Sequence, residues 1–138
     1  MQAPTAADLL NDPVVQQALE QAWTDSLPGD PAQRHEEGGW VYLSTTTGAL
    51  AVRRAPAGAQ TTLDLSTPPV VPDSMIIATF HSHPNPSSEG WESGPSAADT
   101  DSAHLFGVPC LIRADDGIHT TGPASRRGGL TGGPGYPP

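Results

Sequence analysis

The chain has 138 residues and a mass of 14.3 kDa, the size of one domain. It holds 15 glycines and 16 prolines, only 15% charged residues, and a formal net charge of −9. That balance excludes a nucleic-acid surface, because phosphate binding needs a basic patch. No run approaches about 18 apolar residues, so no membrane span is expected. Met1 is not followed by a charged segment and an apolar stretch, which leads us to expect a cytoplasmic chain or one exported without a signal peptide. The single cysteine, Cys110, permits no internal disulfide. We expect one domain over residues 1–124, then a glycine- and proline-rich tail, 125–138, unable to bury enough surface to order itself.

The first element is a helix from about Pro13 to Trp23. Asp12 caps it and Pro13 occupies the first helical position, where its missing N–H costs nothing. Val15, Leu19 and Trp23 fall on one stripe, which makes Trp23 a core residue. A short helical piece can follow at Ala32–Glu37. Trp40–Thr46 and Ala49–Arg53 read as a hairpin turning at Gly48. Thr61–Leu65 alternates polar and apolar residues, the pattern of a third strand. Met75–Phe80 is the most apolar run and the expected central strand. Ser96–Phe106 is the second helix, and Val108–Arg113 pairs with Ile118–Thr120 through Asp115-Asp116-Gly117.

Chemistry concentrates around the central strand. His81-Ser82-His83-Pro84 follows it directly, and residues two apart in an extended chain point the same way, so both imidazoles can face one metal ion. Ser96 and Asp99 share one face of the helix that begins there. A carboxylate one turn in completes a three-ligand set of His81, His83 and Asp99 with one tetrahedral position open. The competing reading makes Ser96-Ala97-Ala98-Asp99 a capping box. Asp101 and His104 are alternative ligands, with Asp101 off the Asp99 face and His104 a partly buried helix residue. Glu36 or Glu37 is the candidate general base, the competing reading being a solvated acidic pair, and Gly38-Gly39 after them lets backbone pass close to a neighbouring strand or substrate. Trp91, in the loop between the histidines and Ser96, is a candidate substrate contact. Cys110 reads as a buried strand residue.

The ordered set is more specific than its parts. A glutamate, then His-x-His-Pro after an apolar strand, then Ser-x-x-Asp opening a helix, resembles the JAB1/MPN (JAMM) metalloprotease family over about Glu36 to Ile112. The resemblance implies a cytidine-deaminase-like α/β fold, with a central, mostly antiparallel sheet flanked by helices. It implies zinc on His81, His83 and Asp99, a base at Glu36, and an oxyanion donor at Ser96. Glu36 is preferred to Glu37 because Gly39, Trp40 and Val41 then fall at the family's spacing. The segment from Pro84 to Ser96 is longer than the family's usual loop, which touches substrate choice rather than the metal face. A narrower likeness is to bacterial JAB-like domains of secreted or polymorphic toxins. It implies a protein or peptide substrate and an immunity or carrier protein as partner. The activity expected is zinc-dependent hydrolysis of a peptide or isopeptide bond; the alternative is a non-catalytic MPN-like binding or scaffold module.

Overall fold

The computed structural model describes residues 4–123, so the tail assigned to 125–138 lies outside the described residues. A short helix α1 (Ala6–Leu10) leads into α2 (Pro13–Asp25), then come β1 (Gly38–Ser44), β2 (Leu50–Arg54) and β3 (Ser74–His83). Helix α3 (Ala97–Phe106) and the hairpin β4 (Cys110–Ala114) and β5 (Gly117–Thr121) follow. The strands form one sheet in the order β2-β1-β3-β4-β5. Every neighbouring pair is antiparallel except β3 and β4, which run parallel and are joined by the crossover through α3. The molecule is a small α/β domain with a mixed, mostly antiparallel sheet flanked by helices.

One face of the sheet is dry. Leu9 and Leu10 of α1 and Val15 and Leu19 of α2 pack on Val41, Ala78, Phe80, Leu111 and Ile118, all essentially without solvent contact. The α2 start follows the capping logic: the Asp12 carboxylate accepts from the Val14 N–H at 2.8 Å, with proline at the next position. Helix α1 was not expected; Thr5 and Asp8 form a reciprocal capping box around its five residues. Trp23 departs from the stripe it was assigned to. It is half-buried, and the Arg113 guanidinium lies 4.5 Å from its ring centroid.

The other face is less evenly covered. Trp40 and Tyr42 pack with Leu63, Leu65 and Val71 from the long loop between β2 and β3. Thr61–Leu65 is therefore not a strand: its alternation points Leu63 and Leu65 onto the sheet, yet it makes no ladder. Ala32–Glu37 contains turns rather than helix. Further along, α3 covers Cys110 and Ile112 through Ala103.

The two glycines after Glu37 are required by strand spacing. A Cβ on Gly38 would lie 2.1 Å from the Phe80 carbonyl oxygen, and one on Gly39 would lie 2.0 Å from that of Arg53. The close approach is to neighbouring strands on both sides. A register shift between Val41 and Tyr42 marks a bulge in the β1–β3 ladder, after which Thr79, His81 and His83 point to the less covered face.

Candidate metal centre

His81 and His83 are the last two outward positions of β3 on that face, as period two requires. Their Nε2 atoms are 3.2 Å apart. Asp99, one turn into α3, reaches both: Oδ1 is 3.3 Å from His81 Nε2 and Oδ2 is 3.2 Å from His83 Nε2. Glu36 comes from the segment entering β1. One carboxylate oxygen of Glu36 and one nitrogen from each histidine lie within 4.8 Å of one another.

The two readings of Ser96-x-x-Asp99 turn out to be compatible. The Ser96 N–H donates to Asp99 Oδ2 at 2.9 Å and the Asp99 N–H donates to Ser96 Oγ at 3.1 Å, a complete capping box. The same carboxylate faces the histidines. Capping fixes its rotamer, and the positive end of α3 favours its charge. Ser96 Oγ accepts that bond and keeps its own O–H free to donate.

The donor chemistry fits a divalent cation such as zinc. His83 Nδ1 is 3.2 Å from the Ser93 carbonyl oxygen, which can only accept, so Nδ1 carries the proton. In the neutral ring, Nε2 then aims a lone pair at a carboxylate oxygen and at another imidazole nitrogen. Electron-rich atoms packed this way repel unless a cation or extra protons lie between them. His81 Nδ1 sits 3.5 Å from the buried Cys110 Sγ. Each ring thus has a polar neighbour behind it, the usual way in which a ligating imidazole is oriented.

Charge states follow from this crowding. Burial alone would raise the Asp99 pKa, but hydrogen bonds with His81 and His83 hold it far below the usual carboxylate range. Burial opposes protonation of His81, while Cys110 and Asp99 beside it push its pKa well up. Glu36 is raised, first by burial, with partial relief from the charges of His81 and His83.

The neighbouring glutamates divide cleanly. Glu36 turns toward the histidines, its backbone held by the Ala59 carbonyl and the Gly58 N–H. Glu37 accepts from Arg54 at 2.7 Å and meets His35 Nε2 at 2.6 Å. Behind it, Ser82 Oγ takes the Glu37 N–H at 3.0 Å and contacts Ser26 Oγ of the α2 cap at 2.5 Å. The serine between the histidines thus ties the strand end to the helical layer.

Asp101 and His104 are both exposed on α3, outside the cluster; His104 is not partly buried as expected. Trp91, 40% exposed, lines a side cavity of about 240 Å³ together with His83, Glu36 and Asp99. A larger cavity of about 430 Å³ opens from Glu36, His81 and Asp99 toward Leu63, Leu65 and Leu105. Ser96 lines both. Sequence reasoning missed the contributions of Ser93, Cys110 and the Thr61–Ser66 loop. A backbone carbonyl carries no sequence signal, and the loop reaches the site only because Trp40 and Tyr42 hold it there.

These features define a class, a small α/β domain with a buried Glu/His/His cluster compatible with metal binding. Comparison with protein-family models, with curated proteins and with solved structures finds no match to this chain. Among the described residues no helix is long and apolar enough to cross a membrane.

Proposed function

We propose that the chain is a zinc-dependent hydrolase of peptide or isopeptide bonds, of the JAMM kind that its ordered Glu, His-x-His-Pro and Ser-x-x-Asp set resembles. The observation that carries this reading is the position of Glu36, a buried carboxyl directed at the two imidazoles on the floor of an open cleft.

His81, His83 and Asp99 would hold the metal, with the Glu36 carboxyl directed at the same two imidazoles. Zinc there supplies Lewis acidity toward water and the scissile carbonyl. Glu36 takes the proton of the attacking water and delivers it to the leaving nitrogen; its raised pKa suits a group that must both accept and return a proton. Ser96 donates its free O–H to the carbonyl oxygen as negative charge develops there. The substrate is a protein or peptide segment, bound across the cleft between the Trp91 side and the Leu105 side. An immunity or carrier protein is the partner that the toxin-like likeness suggests.

The test pairs zinc-loaded wild type with Glu36→Gln in whole-cell protein extracts, scored by mass spectrometry for new peptide termini and released isopeptide-linked fragments. The wild type is expected to generate products that the variant makes about 10²–10⁴-fold more slowly, at equal zinc content. Absence of any wild-type-specific product at full zinc loading overturns the hydrolase reading and leaves a metal-stabilised binding module.

A further inference from the structure

The two cavities that meet at Glu36, Ser96 and Asp99 differ in lining. The smaller is bordered by Asn85, Trp91 and Glu92. The larger runs between the Thr61–Ser66 loop and α3, with Leu63 and Leu65 on one side and Leu105 and Phe106 on the other. Leu105 is 89% exposed, an apolar side chain on the outer face of a helix with no packing role in the domain. Val70 is as exposed, at 93%, but of the two it is Leu105 that lines a cavity opening from the donor cluster, where an apolar ligand group can cover it.

From this lining we propose that the larger cavity is a specificity pocket for an aliphatic or aromatic side chain of the substrate peptide, within a few residues of the bond presented to Glu36. The inference rests on the hydrolase reading for the word substrate, but its physical content is selective binding. Three features favour this occupant. The pocket is one continuous space with the Glu36, His81 and Asp99 cluster, so whatever fills it lies beside the reacting centre. Its volume, about 430 Å³, lies within the range of pockets that enclose a small ligand or side chain. Its charged lining residues are Glu36, His81 and Asp99 at the cluster and Asp64 on the loop, whose Oδ1 already accepts from the Ser66 N–H and Oγ, while Leu63, Leu65, Leu105 and Phe106 form an apolar wall.

A chain with an apolar residue gains by removing its own surface and that of Leu63, Leu65 and Leu105 from water together. The Thr61–Ser66 wall is firm enough to discriminate. The Gly58 N–H donates to the Glu36 carbonyl oxygen at 2.9 Å, the Ala59 N–H donates to the Thr62 carbonyl oxygen at 2.9 Å, and the Trp40 indole N–H donates to the Leu65 carbonyl oxygen at 3.2 Å. A preformed wall loses little ordering entropy on binding.

Binding can be measured apart from turnover, using full-length, zinc-loaded Glu36→Gln. The probes are acetylated hexapeptide amides with an alanine background and Leu, Phe, Asp or Arg at one scanned position, titrated by calorimetry. At one position or two, Leu and Phe peptides are expected to bind about tenfold or more tightly than the alanine parent. Leu105→Asp and, separately, Leu63→Asp should erase that gain while zinc content and helix content stay unchanged. Equal affinity for all peptides overturns the inference, as does Arg or Asp outranking Leu. A Leu105→Asp effect on self-association instead of peptide affinity also overturns it, by making this wall a contact between copies of the chain. Apolar preference in binding with no cleavage by wild type leaves the pocket standing and removes the hydrolase reading, so the two ideas fail separately.

Discussion

The two faces of the sheet are made by the same strands and differ in what covers them. On β3, Ala78, Phe80 and Ser82 turn toward the two N-terminal helices, while Thr79, His81 and His83 turn toward the cleft. The first face is sealed by α1 and α2; the second is covered in patches by α3 and the long loop, with the donor cluster between them. The contrast shows how a domain of this size keeps several polar groups in contact without collapsing. Its dry face supplies rigidity, and the strand carries that rigidity through to the wet face two ångström-scale side chains away. Ser82 makes the coupling explicit, because it lies between the two histidines and bonds to the helical layer.

Breaking the dry face should cost the most. Phe80 is fully buried against α1 and α2. Phe80→Ala leaves a cavity there and is expected to lower unfolding free energy by about 3–5 kcal/mol, read from denaturant titration. Molecules still folded should bind zinc with unchanged stoichiometry, because the donors sit on the opposite face. Loss of zinc in proportion to nothing but the substitution, in protein shown to be folded, would mean the faces are not separable.

Breaking the wet face should do the reverse. His81→Ala removes one donor and the Asp99 partner at 3.3 Å. Zinc affinity is expected to fall by more than about a hundredfold, with competition against a chelator as the readout. Chelation should lower the melting temperature of wild type and leave that of the variant where it is, since a ligand stabilises only the state that binds it. A variant that still gains stability from zinc would shift the site away from His81.

Much of this contrast was legible in the sequence, and the reasons are local. Helix α2, the β1–β2 hairpin, the central strand and α3 follow from capping residues, glycine turns and apolar runs, signals that lie within a few residues of what they specify. His81 and His83 were paired by strand period and Asp99 by helix period. Tertiary effects account for the failures. Thr61–Leu65 has strand alternation because its leucines pack on Trp40 and Tyr42, but β1 already has β2 and β3 on its two edges and offers no ladder. Trp23 continues the α2 stripe past the point where the sheet lies beneath it, and Arg113 covers it instead. The choice between Glu36 and Glu37 needed the register: adjacent residues face opposite ways, and only the ion pairs of Arg54 and His35 reveal which side is which.

That choice gives a smaller but sharper comparison. Glu37 is nearly buried and holds Arg54 at 2.7 Å, which also reaches Asp25 at 3.0 Å. Glu37→Gln should therefore destabilise by about 1–3 kcal/mol, read from thermal or denaturant unfolding. Zinc content and turnover should stay near wild type, the opposite of the pattern expected for Glu36→Gln. A Glu37 variant that is stable but inactive would reverse the assignment of the base.

The smallest effect concerns His35, which caps this same network. Its Nδ1 lies 2.9 Å from the Gln33 carbonyl oxygen and its Nε2 lies 2.6 Å from Glu37. The bond to Gln33 raises the His35 pKa, burial opposes it, and the Glu37 carboxylate raises it further. Protonation lets both ring nitrogens donate at once, which the neutral ring cannot do. Because the folded pKa exceeds the unfolded value of 6.5, the stabilisation is fully present below that value and is lost as pH rises through the folded pKa. The measurement is the difference in unfolding free energy between wild type and His35→Gln, taken between about pH 6 and about pH 8 so that other titrations cancel. Wild type should lead at the acidic end, by less than the Glu37 effect, and the gap should narrow as pH rises. A gap that widens with pH would mean that His35 is neutral in the folded protein and that Arg54 alone balances Glu37.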